Sequence, residues 1–138
     1  MNQAWDEELM KAATAVRANA YAPYSNFFVG AALRLKDGRI VPGANVENSS
    51  YPLSVCAERS AISAAVAMGV RPGDVQSVAV VTEAPALAAP CGGCRQVLNE
   101  FMSKDAPIFV LNLKDQKKVT FTISALLPEA FGPSFLGK

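Results

Sequence analysis

Four consecutive apolar residues, Val78 to Val81, sit inside the β-branched run Val75 to Thr82. A strand with no polar side must be covered on both faces, so this run calls for a sheet with helices above and below it. The helices are legible nearby. Leu9, Met10, Ala13, Val16 and Ala20 recur at helical spacing between Asp6 and Ala20, and Pro23 prevents continuation. Val55 to Met68, with Ser54 as cap and Gly69 as stop, predicts a second helix, and Pro90 to Phe101 a third. Phe28 to Leu35 and Ile40 to Val46 flank an Asp37-Gly38 turn and predict a hairpin, while Ile108 to Leu113 and Val119 to Ile123 flank the polar turn Asp115 to Lys118. The order helix, hairpin, helix, strand, helix, strand, strand predicts an α/β fold of three layers, α/β/α, around one mixed five-stranded sheet.

The chain has 138 residues, 51% of them hydrophobic and 18% charged, which predicts a single domain over 1–138 with a core that needs no disulfide staple. Thirteen Lys and Arg oppose twelve Asp and Glu, and the adjacent basic pair is Lys117-Lys118. Neither nucleic acid nor an anionic membrane is an expected partner of so balanced a surface. The acidic early sequence lacks the regions of a signal peptide, and no apolar run is long enough to span a bilayer, so a cytoplasmic protein is expected. Ala57, Ala61, Ala64, Ala65 and Ala67 make the second helix slim on more than one side, which predicts burial, including burial at a subunit contact.

There are three cysteines and no histidine. With Pro90 read as the first helical residue, Cys91 and Cys94 fall in one turn at i and i+3, on one face. Cys56 follows Ser54 at another predicted helix start. Two such N-termini brought together would gather three sulfurs and favour thiolates through their positive dipole ends. Three thiolates suit zinc, and a structural site wants a fourth protein ligand that neither Cys nor His can supply here. Water in the fourth position would make the site catalytic, with Glu58, two residues after Cys56, as general base and then general acid. Arg59 and Arg95, each beside a site residue, are candidates to offset the negative charge of the sulfurs. Two other readings stand beside this one. Cys91 and Cys94 alone would serve a redox dithiol, and an acidic fourth ligand would close the site into a structural one.

The pattern Cys56-Ala57-Glu58 with Pro90-Cys91-Gly92-Gly93-Cys94 resembles the zinc nucleoside deaminases. The segments YAPYSNFFVGAAL from Tyr21, NVENSSYPLSVCAERSAI from Asn45, APCGGCRQVLNEF from Ala89 and LLPEAFGP from Leu126 are similar to the small, homotetrameric cytidine deaminases. The resemblance implies one zinc per subunit on Cys56, Cys91 and Cys94, and hydrolytic deamination of cytidine and 2′-deoxycytidine in pyrimidine salvage. It implies that Asn45 and Glu47 hold the ribose hydroxyls, that Phe27 packs on the base, and that Ala57 and the Ala89 carbonyl contact the substrate. Phe131 would reach the site from a neighbouring subunit of a tetramer. The sequence departs from the family pattern at Phe28, where Pro is frequent, at Ala89, where Ser is common, and in the tail Ser134 to Lys138. Blasticidin-type, guanine and RNA-editing deaminases are the neighbouring alternatives; the Asn45 and Glu47 pair favours a simple nucleoside.

Overall fold

The computed structural model describes residues 4–138; residues 1–3, at the start of the domain expected over 1–138, lie outside the described residues. In chain order the elements are α1 (Glu7–Arg17), β1 (Gly30–Leu35), β2 (Ile40–Ala44), α2 (Ala57–Ala67), β3 (Val75–Thr82), α3 (Gly92–Phe101), β4 (Pro107–Asn112), β5 (Lys117–Thr122) and α4 (Ile123–Leu126), with single 3-10 turns at Tyr51–Leu53 and Pro133–Leu136. The strands form one sheet in the order β2-β1-β3-β4-β5. β3 and β4 are parallel, and the other neighbouring pairs are antiparallel. This is the mixed five-stranded sheet expected.

Strand alternation divides the core in two. Leu33, Val78, Val80, Ile108 and Val110 face α2 and α3, with Ala57, Ala61, Ala65 and Leu98 packed against them. Ala32, Ala79, Val81, Phe109 and Leu111 face α1, which supplies Leu9, Met10 and Ala13. The central strands β3 and β4 are buried on both sides, as the unbroken apolar run of β3 requires. The three-layer α/β/α arrangement follows.

Several boundaries differ from expectation for local reasons. α1 is capped by Asp6, whose carboxylate accepts from Leu9 N–H at 3.0 Å, and it stops at Arg17 rather than Ala20. Tyr21 N–H is drawn to the Asn45 carbonyl instead, 3.0 Å away, in a bridge beside Val46. α2 is not capped by Ser54. Tyr51–Leu53 form a turn, Val55 bridges Val46, and Cys56 itself becomes the N-cap, while the Ser54 hydroxyl accepts from Asn48 N–H at 3.1 Å. α3 likewise begins after Cys91 as N-cap, so Pro90 lies outside the helix. The four-residue α4 is too short to show a period and is not predicted from the sequence.

The slim second helix is buried on one face only, with Ala64 and Ala67 exposed on the other. Its small residues serve a close approach to the sheet. A Cβ built on Gly43 of β2 would stand 2.4 Å from Ala61 N and 2.7 Å from the Ala57 carbonyl oxygen. The backbone of α2 therefore rests on a strand position that admits no side chain. Gly43→Ala is expected to destabilise the protein by about 1–3 kcal/mol through overpacking, measurable as a lowered midpoint in denaturant unfolding.

Candidate active site

α2 and α3 start side by side over the end of β3, and each opens on a cysteine. Cys56 and Cys91 are the N-caps, and Cys94 occupies the third position of α3 with its backbone N–H on the Cys91 sulfur at 3.5 Å. The Cys56 and Cys91 sulfurs are 3.8 Å apart, and all three sulfurs lie within 4.8 Å of one another. Sulfurs on a tetrahedral zinc, each about 2.3 Å from the metal, stand about 3.8 Å apart, so the donor set fits zinc in kind and in spacing. Among the described residues the metal-holding cluster comprises these three sulfurs and no carboxylate, which argues against an acidic fourth ligand closing the site. Three sulfurs within 4.8 Å of one another are also not the pairwise arrangement of a redox dithiol.

Three sulfurs this close share protons. The Cys94 thiol donates toward Cys56 and, together with Cys91 and the Arg59 charge, holds the Cys56 thiol down at about 6. Cys94 keeps the shared proton, so its own pKa is raised, with burial adding to the effect. The N-terminal peptide dipoles of both helices act in favour of thiolate from the backbone side. Glu58, on the first turn of α2, is only 4% exposed. Burial pushes its carboxyl up to about 7, with the Cys56 thiolate adding to the rise and its own backbone amide, Cys94 and Arg59 opposing it. A carboxyl titrating near neutrality can both accept and deliver a proton at working pH.

The sulfurs and Glu58 form one wall of a cavity of about 380 Å³, and Phe27, Asn45, Glu47, Ala57 and Ala89 form much of the rest. Its volume is in the range that takes a small organic ligand. Nine of the sequence-selected residues thus meet at one place, from four separate stretches of chain. The Asn45 amide already has partners: Oδ1 accepts from Val29 N–H at 2.9 Å, and Nδ2 donates to the Phe27 carbonyl at 2.7 Å. Glu47 Oε1 accepts from the backbone N–H of Tyr24 at 3.0 Å and of Ser25 at 3.1 Å, and Oε2 accepts from the Ser25 hydroxyl. These bonds hold the carboxyl below its ordinary range, the Ser25 hydroxyl contributing most, so Glu47 is an anion at neutral pH. Both side chains therefore brace the loop that carries Phe27 while keeping part of their capacity for a ligand.

Two arginines behave differently from each other. Arg59 acts on Cys56 and Glu58 through its charge. Arg95, expected to donate to the sulfurs, directs Nε to the Pro90 carbonyl at 2.7 Å and Nη1 to the Leu126 carbonyl at 2.9 Å. Strongly polar carbonyls left over at the start of α3 and the end of α4 are better partners than diffuse sulfur, and Arg95 thereby ties the Cys91 loop to the C-terminal segment. Phe131 stands apart from the cavity. Its ring stacks on Phe135 at 5.4 Å between centroids, is 56% exposed, and its carbonyl accepts from Gln96 at 2.8 Å. Ser25 was not selected from the sequence; it lies within the YAPYSNF segment, but a lone loop serine carries no periodic or spacing signal.

Residues 3–110 match the family model described as the cytidine and deoxycytidylate deaminase zinc-binding region. The chain belongs to that family. A cytidine deaminase of Halalkalibacterium halodurans is 46% identical over 123 residues, 89% of this chain and 91% of that protein. A cytidine deaminase of Mycobacterium tuberculosis is 42% identical over 120 residues, covering 87% of this chain and 84% of its own length. The crystal structure of cytidine deaminase from Burkholderia pseudomallei superposes with a TM-score of 0.88 at 45% identity, covering 93% of this chain and all of that one. The zinc ion expected from the sequence accords with both the family and the cysteine cluster. Replacing Cys94, the buried member of the cluster, by Ser is expected to reduce bound zinc from one per chain to a small fraction, as read by metal analysis of the purified protein.

Proposed function

We propose that the protein catalyses the hydrolytic deamination of cytidine and 2′-deoxycytidine to uridine and 2′-deoxyuridine with release of ammonia, as a step of pyrimidine salvage. The observation that carries this reading is a buried carboxyl, Glu58, lining the same cavity as three sulfurs that lie within 4.8 Å of one another with no carboxylate among them. Cys56, Cys91 and Cys94 hold the metal. Bound zinc lowers the pKa of a water molecule and so supplies a nucleophile at neutral pH. Glu58, whose carboxyl burial pushes up toward neutrality, would accept one proton of the attacking water and pass it to ring N3, then carry the second proton of that water to the departing amine. Net, one water is consumed, the C4–N bond breaks, and a carbonyl and ammonia are left.

The remaining lining residues orient the nucleoside. Phe27 packs on the pyrimidine, the backbone of Ala57 at the α2 N-terminus meets the base, and the Ala89 carbonyl accepts from its exocyclic amine. Asn45 and Glu47 engage the sugar with the capacity their loop contacts leave over. A carboxylate held anionic at this end of the cavity accepts hydroxyl donors and repels phosphate, which favours a free nucleoside over a nucleotide. Zinc with three thiolates carries excess negative charge, and Arg59 offsets part of it; Arg95 contributes by fixing the Pro90 carbonyl and hence Cys91.

The same reading makes residues 1–138 one catalytic domain of a cytoplasmic homotetramer. No helix among the described residues is long and apolar enough to cross a membrane. Tyr24 and Tyr51 are exposed beside Ser25 and Glu47 of the cavity, and Phe131 with Phe135 forms a second exposed apolar patch. Apolar groups concentrated in this way suit subunit contacts, and Phe131 of one subunit would complete the site of another.

Glu58→Gln is expected to retain zinc and to lose at least about 10²- to 10⁴-fold in kcat on cytidine, since one residue serves several proton transfers; near-normal turnover, followed by the absorbance fall of cytidine, would refute the assignment. For the assembly, sedimentation equilibrium is expected to give four times the 14.6 kDa chain mass, and an active monomer would overturn the shared-site model.

A further inference from the structure

At the sugar end of the cavity one hydroxyl joins two residues that the reading above treats separately. Ser25 Oγ donates to Glu47 Oε2 and accepts from Phe27 N–H at 3.0 Å. Its single proton is thus committed to the carboxylate, and one lone pair to the backbone that places the Phe27 ring. The turn around it is closed tightly. Asn26 adopts a left-handed conformation with φ of 57°, which Asn tolerates better than most residues, and its N–H reaches the Ala22 carbonyl at 2.9 Å. A carboxylate offers about four lone-pair positions. In Glu47 two on Oε1 and one on Oε2 are occupied by the loop, which leaves one on Oε2.

We propose that Ser25 is a positioning residue for sugar recognition: by pinning Glu47 it fixes the direction of the one open lone pair of Oε2, and it couples that direction to the placement of Phe27. The ligand class selected is a pyrimidine nucleoside whose sugar presents a hydroxyl donor to Oε2. This rests on the proposed contact between Glu47 and the sugar. An unpinned glutamate side chain would still be an anion near the sugar but would have to be ordered by the ligand, at a cost in binding and not in the chemical step.

The test uses the zinc-loaded enzyme and two substrates, cytidine and 2′,3′-dideoxycytidine, which lacks both ring hydroxyls. For Ser25→Ala the expected result is a roughly tenfold higher KM for cytidine, corresponding to loss of a hydrogen bond to a charged group, with kcat within about twofold and zinc content unchanged. The ratio of kcat/KM for cytidine over the dideoxy analogue should fall by a similar factor, because the analogue makes no use of Oε2. Ser25→Thr keeps the hydroxyl at an exposed position and should restore the ratio. Equal losses on both substrates, a fall in kcat at constant KM, unaltered kinetics, or a Thr variant that behaves like Ala would each overturn the proposal. Glu47→Ala separates the two levels. If it lowers the ratio while Ser25→Ala does not, the role of Ser25 alone is wrong; if it leaves the ratio unchanged, the sugar reading of Glu47 fails and the Ser25 proposal with it.

Discussion

The contact between the backbone of α2 and strand β2 fixes where everything else can stand. Gly43 provides a gap with no side chain, and Ala57 and Ala61 enter it with backbone atoms. The N-terminus of α2 is thereby set against the sheet, and Cys56 and Glu58 have little freedom left to them. α3 is placed by Leu98 packing into the same core cluster, which brings its own N-terminus, with Cys91 and Cys94, alongside. The clustering of the sulfurs is a consequence of two helices docking on one sheet face, with two N-cap positions and the first turn of α3, not loop excursions, as their source. Short side chains at the starts of packed helices are held more precisely than long ones on loops.

That placement also sets the electrostatics. A carboxyl and three thiols confined at the mouth of two helices cannot all ionise independently. The helix dipoles and Arg59 favour charge on sulfur, and burial disfavours it on Glu58, so the same small volume separates a group inclined to be an anion from one inclined to keep a proton. Divergent protonation of neighbouring groups is what assigns acid and base roles in sites of this kind.

The fold was legible because its signals are periodic. The apolar run of β3 demanded cover on both faces, and the spacing of Leu9, Met10 and Ala13 announced the helix that covers one of them. The clustering of three sulfurs was legible in the cysteine spacing, and the absence of histidine limits what else can join them, with Glu58 two residues from Cys56. What the sequence concealed was local competition for hydrogen bonds. Ser54 looks like a cap but serves Asn48, and Arg95 looks like a charge beside sulfur but bonds Pro90 and Leu126. The choice among several good partners for one polar group depends on chain crossings that no local pattern encodes. The small residues of α2 announce close approach without saying by what: Ala57 and Ala61 meet strand β2, while Ala64 and Ala67 are exposed in the single chain.

Those concealed bonds share a design. The cavity wall on one side is the loop before β1, held by Asn45 and Glu47; on the other it is the loop from β3 to α3, held at its start by Asn112, whose buried amide bonds both the N–H and the carbonyl of Ala84 at 3.0 and 2.9 Å, and at its end by Arg95. Apart from the bridge between Tyr21 and Val46 on the first loop, neither has a ladder to stiffen it, and planar side chains with fixed donor and acceptor geometry do so instead. On the first loop those side chains also face the cavity, and each bond made to the backbone removes one direction in which a ligand could be bound. Asn45 and Glu47 there keep for the cavity only those hydrogen-bonding directions that bracing the loop does not use. On the second loop the bracing groups are not part of the cavity lining, and the backbone they hold, at Ala84 and Pro90, lies on either side of Ala88 and Ala89, which do line it. One wall thus offers the cavity side chains that are themselves hydrogen-bonded to their loop, while the other is held by side chains outside the cavity lining.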